Sequence, residues 1–403
     1  MKRWLLVLVG VWVCASLVAC ARAPMVTPVA GERVALRPQP TAKSLILFIG
    51  DGMGPEILSM AAVYSNKALG STLNIATLSA TGRMGLVTTY SANRLVTDSA
   101  AGATALATGT KTNNGMVGVS PEGQTLLNLL EMASARGKAV GVITTTAVTD
   151  ATPAAFLAHI QARARETDIA LQIVEGNATV VMGGGKAFFR AADGGKRTDG
   201  RDLTEEARRW DFDLAFDKEG MAAAQGARLL GLFADEDLPF EGSRVAYETP
   251  SLAEMFRKAL GMLTGDPEGF VLVVEGGRID HAEHENNLPD AVGDLLQFDA
   301  AVREAMRYQE SDSTLTIVVT ADHDTGGPVL TSTEAGYPPV SAAADMLTRD
   351  FAFVRWVSEG HTGVMVPVVA RGPGQEMFTG MQDNTDINHA IVRTLGLAEN
   401  PER

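Results

Sequence analysis

The chain has 403 residues, 46% of them hydrophobic and 20% charged, which is ample material for a large core and excludes a disordered or mini-protein architecture. With 34 basic and 48 acidic side chains the formal charge is −14, which argues against nucleic acid or an anionic membrane surface as the partner. Any anionic substrate must then be met by strong local positive charge, for which bound metals are the obvious source.

Lys2 and Arg3 precede an apolar run from Trp4 to Ala19 that is too short and wrongly flanked for a membrane span, so residues 1–19 are expected to be an export signal. The run ends Leu17-Val18-Ala19-Cys20, which resembles the lipobox of bacterial lipoproteins. Cys20 is therefore expected to become an acylated N-terminus on the periplasmic side of a bacterial membrane; a cut among Ala21 to Ala23 would instead leave a soluble periplasmic or secreted protein. Cys14 leaves with the signal and Cys20 is taken by lipid, so no disulfide is available. Pro24, Pro28, Pro38 and Pro40 mark 20–43 as an extended tether.

The folded part is expected over 44–403. Short unbroken apolar runs recur there at Leu45 to Ile49, Ala139 to Thr144, Thr179 to Met182, Phe270 to Val274, Leu315 to Val319 and Val366 to Val369, with helical patterns between them. Runs apolar throughout belong to strands buried on both faces, and their alternation with helices predicts an α/β fold: three layers, doubly wound, with a mostly parallel central sheet flanked by helices. The stretches 190–250 and 328–359 have weaker periodicity and are expected to be insertions, the first a small subdomain on the sheet rim.

In such a sheet functional residues gather beyond the carboxyl ends of the strands. Here those positions are acidic: Asp51 follows the first run in Gly50-Asp51-Gly52-Met53-Gly54, Glu275 ends the fourth, and Asp322-His323 follows the fifth. Three of the six histidines fall in this company: His284, His323 and His361. Asp280 and His284 are four apart, which on a helix brings both to one face with Cβ atoms roughly 6 Å apart. Carboxylate and imidazole together, with no cysteine, suit a catalytic zinc with nitrogen and oxygen ligands. His159 and His389 fall in helical patterns and read as structural, and His281 adjoins the cluster without sharing its spacing.

Ser99 opens a run of small helix-compatible residues after Asp98. Taken alone that is an ordinary helix start, yet it is also where free N–H groups favour an anion and small side chains admit a close neighbour. Thr149-Asp150-Ala151-Thr152-Pro153 reads as a second helix start, with Arg163 about three helical turns further on as a planar fork for phosphate oxygens. Gly183-Gly184-Gly185-Lys186 fails as a phosphate loop because Ala187 stands where Ser or Thr is needed, and no Gly-x-Ser-x-Gly elbow surrounds Ser99.

Taken in order from Ser44 to about Gly396, the segments around Asp51, Asp98-Ser99-Ala100, Asp150-Ala151-Thr152-Pro153, Glu275 to His284, Asp322-His323 and Glu359-Gly360-His361-Thr362-Gly363 together resemble alkaline phosphatase. The resemblance implies hydrolysis of small phosphate monoesters with broad specificity, through a phosphoserine on Ser99, by a protein that is commonly a homodimer. It implies two Zn2+ and one Mg2+ per chain: one zinc on Asp280, His284 and His361, a second on Asp51, Asp322 and His323, and magnesium on Asp51, Thr152 and Glu275 with Asp150 ordering water around it. Arg163 becomes the phosphate clamp, and His281 beside Asp150 bears on the preference of the third site. Two rivals remain to be told apart: a related hydrolase acting on phosphodiesters, phosphonates or sulfate esters with a similar two-metal core, and a tethered protein that binds phosphate or metal without catalysis.

Overall fold

The unbroken apolar run at Leu45 to Ile49 is the middle of β1 (Ser44–Gly50), the strand on which the rest of the sheet is laid out. The computed structural model describes residues 42–191, 194–333, 336–348 and 351–397; the leader, Cys20 and the tether up to residue 41 lie outside the described residues. After β1 come β2 (Arg83–Thr88), β3 (Ala139–Ala147), β4 (Val180–Gly184), β5 (Phe212–Ala215), β6 (Arg228–Leu232), β7 (Phe270–Gly276), β8 (Leu315–Thr320), β9 (Val366–Arg371) and β10 (Gly380–Asp383). They form one ten-stranded sheet in the order β10-β2-β9-β8-β1-β7-β3-β4-β6-β5, mostly parallel and flanked by helices.

All residues of β1, β7 and β8 are buried, as strands covered on both faces must be. On one face Phe48 packs between Phe256 of the helix Leu252–Leu263 and Phe298 of the helix Leu288–Gln309, with ring centroids 5.8 and 5.7 Å away, the second contact edge-on.

Three departures from the pattern have physical causes. Val366 to Val369 lies in β9, which runs antiparallel to both β2 and β8; an unbroken apolar run reports burial on two faces and is silent on direction. β2 and β10 have no such run because neither is buried on both faces: Met84, Leu86 and Met381 are exposed. The stretch 190–250 supplies β5 and β6; β6 pairs parallel with β4 and β5 parallel with β6, so they extend the sheet at its far edge. The excursion 328–359 is closed at its base by antiparallel pairing of Val329 with Arg355 and Leu330 with Val354.

Because Phe48 is fully buried between two aromatic rings, Phe48→Ala is expected to lower unfolding free energy by about 3–5 kcal/mol. Urea unfolding followed by circular dichroism checks this; a loss below about 1 kcal/mol would mean the core relaxes around the hole.

Candidate active site

The site follows from how three strands end. Ile49 of β1 is level with Glu275 of β7 on one side and Thr320 of β8 on the other, so Asp51, Glu275 and Asp322 leave the sheet at one edge. β3 lies on the other side of β7 with Thr144 opposite Glu275, and the chain beyond it turns into the short helix Ala151–Ala155 that presents Thr152.

These ends assemble two groups of ligand-type side chains. In the first, His323 Nε2 is 3.4 Å from Asp51 Oδ1 and 3.3 Å from Asp322 Oδ2. The Thr152 hydroxyl joins it at 3.4 Å from Asp51 Oδ2 and 3.5 Å from Asp322 Oδ2. In the second, Asp280 and His284 share a face of the helix Arg278–His284 and meet at 3.3 Å. His361 Nε2 closes this group, 3.6 Å from Asp280 Oδ1 and 3.2 Å from His284 Nε2. The groups touch, since the rings of His323 and His361 stack with centroids 3.6 Å apart.

His361 arrives from the far end of the 328–359 excursion. A two-residue antiparallel ladder, His361 against Thr325 and Thr362 against Asp324, fastens it beside His323. The Nδ1 atoms of His284 and His361 donate to the carbonyl oxygens of Glu359 (2.5 Å) and Thr97 (2.8 Å), which turns each Nε2 toward the carboxylates.

Ser99 is the first residue of the helix Ser99–Thr108, and its Oγ lies 3.2 Å from His323 Nε2. Asp98 is the cap, accepting from Ala101 N at 3.0 Å and from Gly115 N at 2.8 Å. The small residues of this helix serve an approach by another backbone: a Cβ on Gly102 would stand 2.9 Å from the carbonyl oxygen of Asp322.

Arg163 reaches the site by a route other than the one its spacing suggests. The helix ends at Ala155, and Arg163 sits in a later turn whose N–H donates to Gly115 O at 2.8 Å. Its guanidinium is 2.6 Å from Asp150 Oδ1 and 3.7 Å from Asp98 Oδ2, so both helix-capping aspartates also orient the arginine. His281 faces outward from the two groups, 3.3 Å from Asp237 and 3.9 Å from Asp150. His159 also lies beyond the helix its pattern suggests, and there it joins Gly118 O at 2.7 Å to Glu131 at 2.9 Å as a structural bridge.

Three residues emerge only in space. Thr325, fully buried, donates to Asp280 Oδ1 at 2.6 Å and sits 3.2 Å from His323 Nδ1, so one hydroxyl ties the two groups together. Thr144 and Thr146 donate to Glu275 Oε2, the second at 3.1 Å. Nothing in their sequence setting distinguishes them from ordinary strand threonines.

The carboxylates and imidazoles of the site shift one another strongly. Burial, followed by the repulsion of Asp322, Asp280 and Glu275, drives the Asp51 carboxyl well above the usual carboxylate range, and Asp322 is raised in the same way. Burial pushes Glu275 up to about 7. Asp280 goes the other way: burial would raise it, but the His284 hydrogen bond and the neighbouring imidazoles hold it low, while Asp280 pushes His284 up to about 9. Burial lowers His323 and His361 below the ordinary imidazole value, which favours the neutral form in which imidazole binds a metal.

These residues fit cations. Asp51 Oδ1 and Glu275 Oε1 are buried without any hydrogen-bond partner, and such atoms normally have one. The ligand atoms of Asp51, Asp322 and His323 lie within 4.8 Å of one another, as do those of Asp280, His323 and His361. Mixed nitrogen and oxygen donors at this spacing suit zinc, and the oxygens of Asp51, Thr152 and Glu275 suit magnesium.

The family model for alkaline phosphatase matches residues 42–350 and 340–397. The chain belongs to the alkaline phosphatase family. It is 36% identical to the streptomycin-6-phosphate phosphatase of Streptomyces griseus, over 96% of this chain and 98% of that protein. With the alkaline phosphatase of Escherichia coli K12 it shares 31% identity over 88% of this chain and 86% of the other. Among solved structures, the Thermus thermophilus alkaline phosphatase superposes with a TM-score of 0.81 at 28% identity, covering 93% of this chain and 96% of that one. The alkaline phosphatase of the Antarctic bacterium TAB5 gives 0.78 at 29% identity, covering 90% and 100%, and a variant of that enzyme carries magnesium in its M3 site. This alkaline phosphatase is thus a metal-binding phosphomonoesterase, and the doubly wound, mostly parallel sheet expected from its sequence is the fold of the family.

Thr325→Val, which keeps the side-chain shape and removes the bridging hydroxyl, is expected to weaken divalent-cation binding by about 10-fold or more, with Thr325→Ser close to wild type. Metal retained after graded dialysis measures it. Equal retention in Val and Ser variants would reduce Thr325 to packing.

Proposed function

We propose that this enzyme hydrolyses phosphate monoesters through a phosphoserine on Ser99, with two zinc ions and one magnesium ion bound per chain. One zinc is assigned to Asp280, His284 and His361, the other to Asp51, Asp322 and His323, and magnesium to Asp51, Thr152 and Glu275 beside Asp150. When bound, these cations neutralise the buried carboxylates and stabilise negative charge on the nucleophile, the phosphoryl oxygens and the departing alcohol.

The observation that carries the reading is the position of Ser99 Oγ, 3.2 Å from His323 Nε2 and at the start of a helix. From there the Ser99 oxygen bonds to phosphorus as the phosphorus–oxygen bond to the alcohol breaks, and the proton it loses passes through solvent to the departing oxygen, which leaves as the alcohol. The N–H groups of the helix's first turn and the Arg163 guanidinium face the same phosphoryl group, and Arg163's planar fork suits two of its oxygens. Asp98 and Asp150 hold that fork in place before substrate arrives. Attack of water on the phosphoserine then returns Ser99 and releases inorganic phosphate.

Specificity is proposed to be broad, because the 328–359 excursion before His361 is short and offers little to restrict the alcohol. The export signal over 1–19, lipid on Cys20, the tether over 20–43, a periplasmic location and a homodimer complete the proposal; they rest on the lipobox resemblance and on family membership.

Ser99→Ala is expected to cut kcat by at least ~10³-fold while the protein still binds inorganic phosphate, and chelation is expected to abolish turnover until zinc and magnesium are returned. Turnover indifferent to both would refute the mechanism. A panel of an aryl monophosphate, its methyl diester, the aryl sulfate and streptomycin-6-phosphate sets the substrate class: faster diester hydrolysis would replace the monoesterase reading, and strong preference for the last would replace broad specificity. Detergent-phase partitioning of the wild type but not of Cys20→Ala is the expected result for the anchor, and equal partitioning would remove it.

A further inference from the structure

One cluster of acidic side chains lies outside the donor set assigned above. Glu283 precedes His284 on its helix, Asp324 follows His323, and Glu56 sits on the first turn of the helix Pro55–Lys67. Glu283 and Asp324 are fully buried, and Glu56 is half-buried. Neither carboxylate oxygen of Glu283 has a hydrogen-bond partner, and Asp324 Oδ1 and Glu56 Oε2 have none either. Asp324 Oδ2 accepts from the Thr362 hydroxyl at 2.5 Å.

The Gly-Asp-Gly-Met-Gly loop is shaped around these groups. A Cβ on Gly52 would come 2.9 Å from Glu283 Oε2, and a Cβ on Gly54 would fall 1.7 Å from Asp324 Oδ1. The glycines therefore keep open space that the two carboxylates occupy. Shared protons do not account for the arrangement. Glu56 and Asp324 are close enough to share one, but Glu283 has no donor or acceptor partner for either oxygen. A buried carboxyl left wholly unpaired is costly whether ionised or not.

We propose that Glu56, Glu283 and Asp324 bind a further divalent cation, a hard ion of the calcium or magnesium class, distinct from the cations of the catalytic groups. The donors are all oxygen, which suits such an ion and disfavours zinc. The ligand atoms of the three do not all fall within 4.8 Å of one another, about the widest span two oxygens on one such ion can have, so at least one of the carboxylates reaches the ion through a bound water. Access is open on one side, where a cleft of about 290 Å³ lined by Pro55, Glu56, Ser59, Met60, Pro328 and Leu330 leads to the Glu56 carboxylate. An ion here braces three segments at once: the loop bearing Asp51, the helix bearing His284 and the strand end bearing His323. Its role is to hold catalytic ligands in place without touching substrate.

The test uses the full-length protein with its catalytic sites saturated in zinc and magnesium, equilibrated with calcium chloride or with additional magnesium chloride. Metal content by inductively coupled plasma mass spectrometry and thermal melting are read on wild type, Glu283→Gln and Glu56→Gln. The expected result is one extra calcium or magnesium per wild-type chain, absent from Glu283→Gln, with an ion-dependent rise in melting temperature that both variants lose. Glu56→Gln, a half-buried position on an outer helical turn, keeps the test decisive should Glu283→Gln fold poorly. Equal metal content and equal melting shifts in wild type and Glu56→Gln, or no ion beyond the catalytic set in wild type, would overturn the site.

Discussion

Carboxylates brought together at the ends of buried parallel strands repel one another, and in this molecule that repulsion is the term to which the rest of the structure answers. Asp51, Glu275 and Asp322 leave β1, β7 and β8 at one level because parallel register leaves them no alternative, and Asp280 stands one helical turn beyond β7. Burial raises three of the four toward protonation, and only Asp280, flanked by imidazoles, is held ionised by its own surroundings. A chain of net charge −14 could have spread these groups over its surface. Concentrating them under Ser99 makes a place where cations bind strongly, and bound cations reverse the local field so that a phosphate dianion is drawn to an acidic protein.

The backbone pays for that concentration in glycine and small side chains. Gly52 and Gly54 leave room for carboxylates, and Gly102 lets the Ser99 helix come down on Asp322. Each is a place where a single methyl group would push a ligand or the nucleophile off position. Gly52, at φ +71°, also holds a left-handed turn that a side chain would strain. The loop after β1 is therefore glycine-rich for reasons of contact as well as turning, and its three glycines frame Asp51 between the two halves of the site.

How much of this could be read from the sequence depended on whether a feature was local. Burial on both faces leaves a continuous apolar run, so the central strands were legible, and a carboxylate after such a run marks a strand end. The Asp280 and His284 pair was legible because four residues is one helical turn. β10 at the sheet's edge and β2 beside it were not, since Met84, Leu86 and Met381 put apolar side chains on exposed positions and erase the alternation of a half-buried strand. The direction of β9 was hidden because burial is blind to polarity. Arg163 was found as a residue but not as a position: helix propensity around Ala154 gave no sign that the chain would stop at Ala155 and return along Gly115. Thr325 and the threonines on Glu275 were invisible, because a threonine beside a strand is unremarkable until the carboxylate it meets arrives from elsewhere in the chain.

His361 shows what that non-local assembly entails. It is separated from His323 by the whole 328–359 excursion, and it is placed by a ladder to Asp324 and Thr325 and by one bond to Thr97 O. The same carbonyl lies two residues before Ser99, so the histidine that completes the second group of ligands also ties down the entrance to the nucleophile's helix. The ladder closes a short excursion, whereas the Thr97 bond joins segments 264 residues apart, so His361 is fixed by a near and a distant contact at once. Until His361 docks, Asp280 and His284 make an incomplete pair exposed to solvent, and a cation bound there would have too few ligands to be retained. Closing the excursion and completing the cation site are therefore coupled, and an ion bound there stabilises the closed excursion.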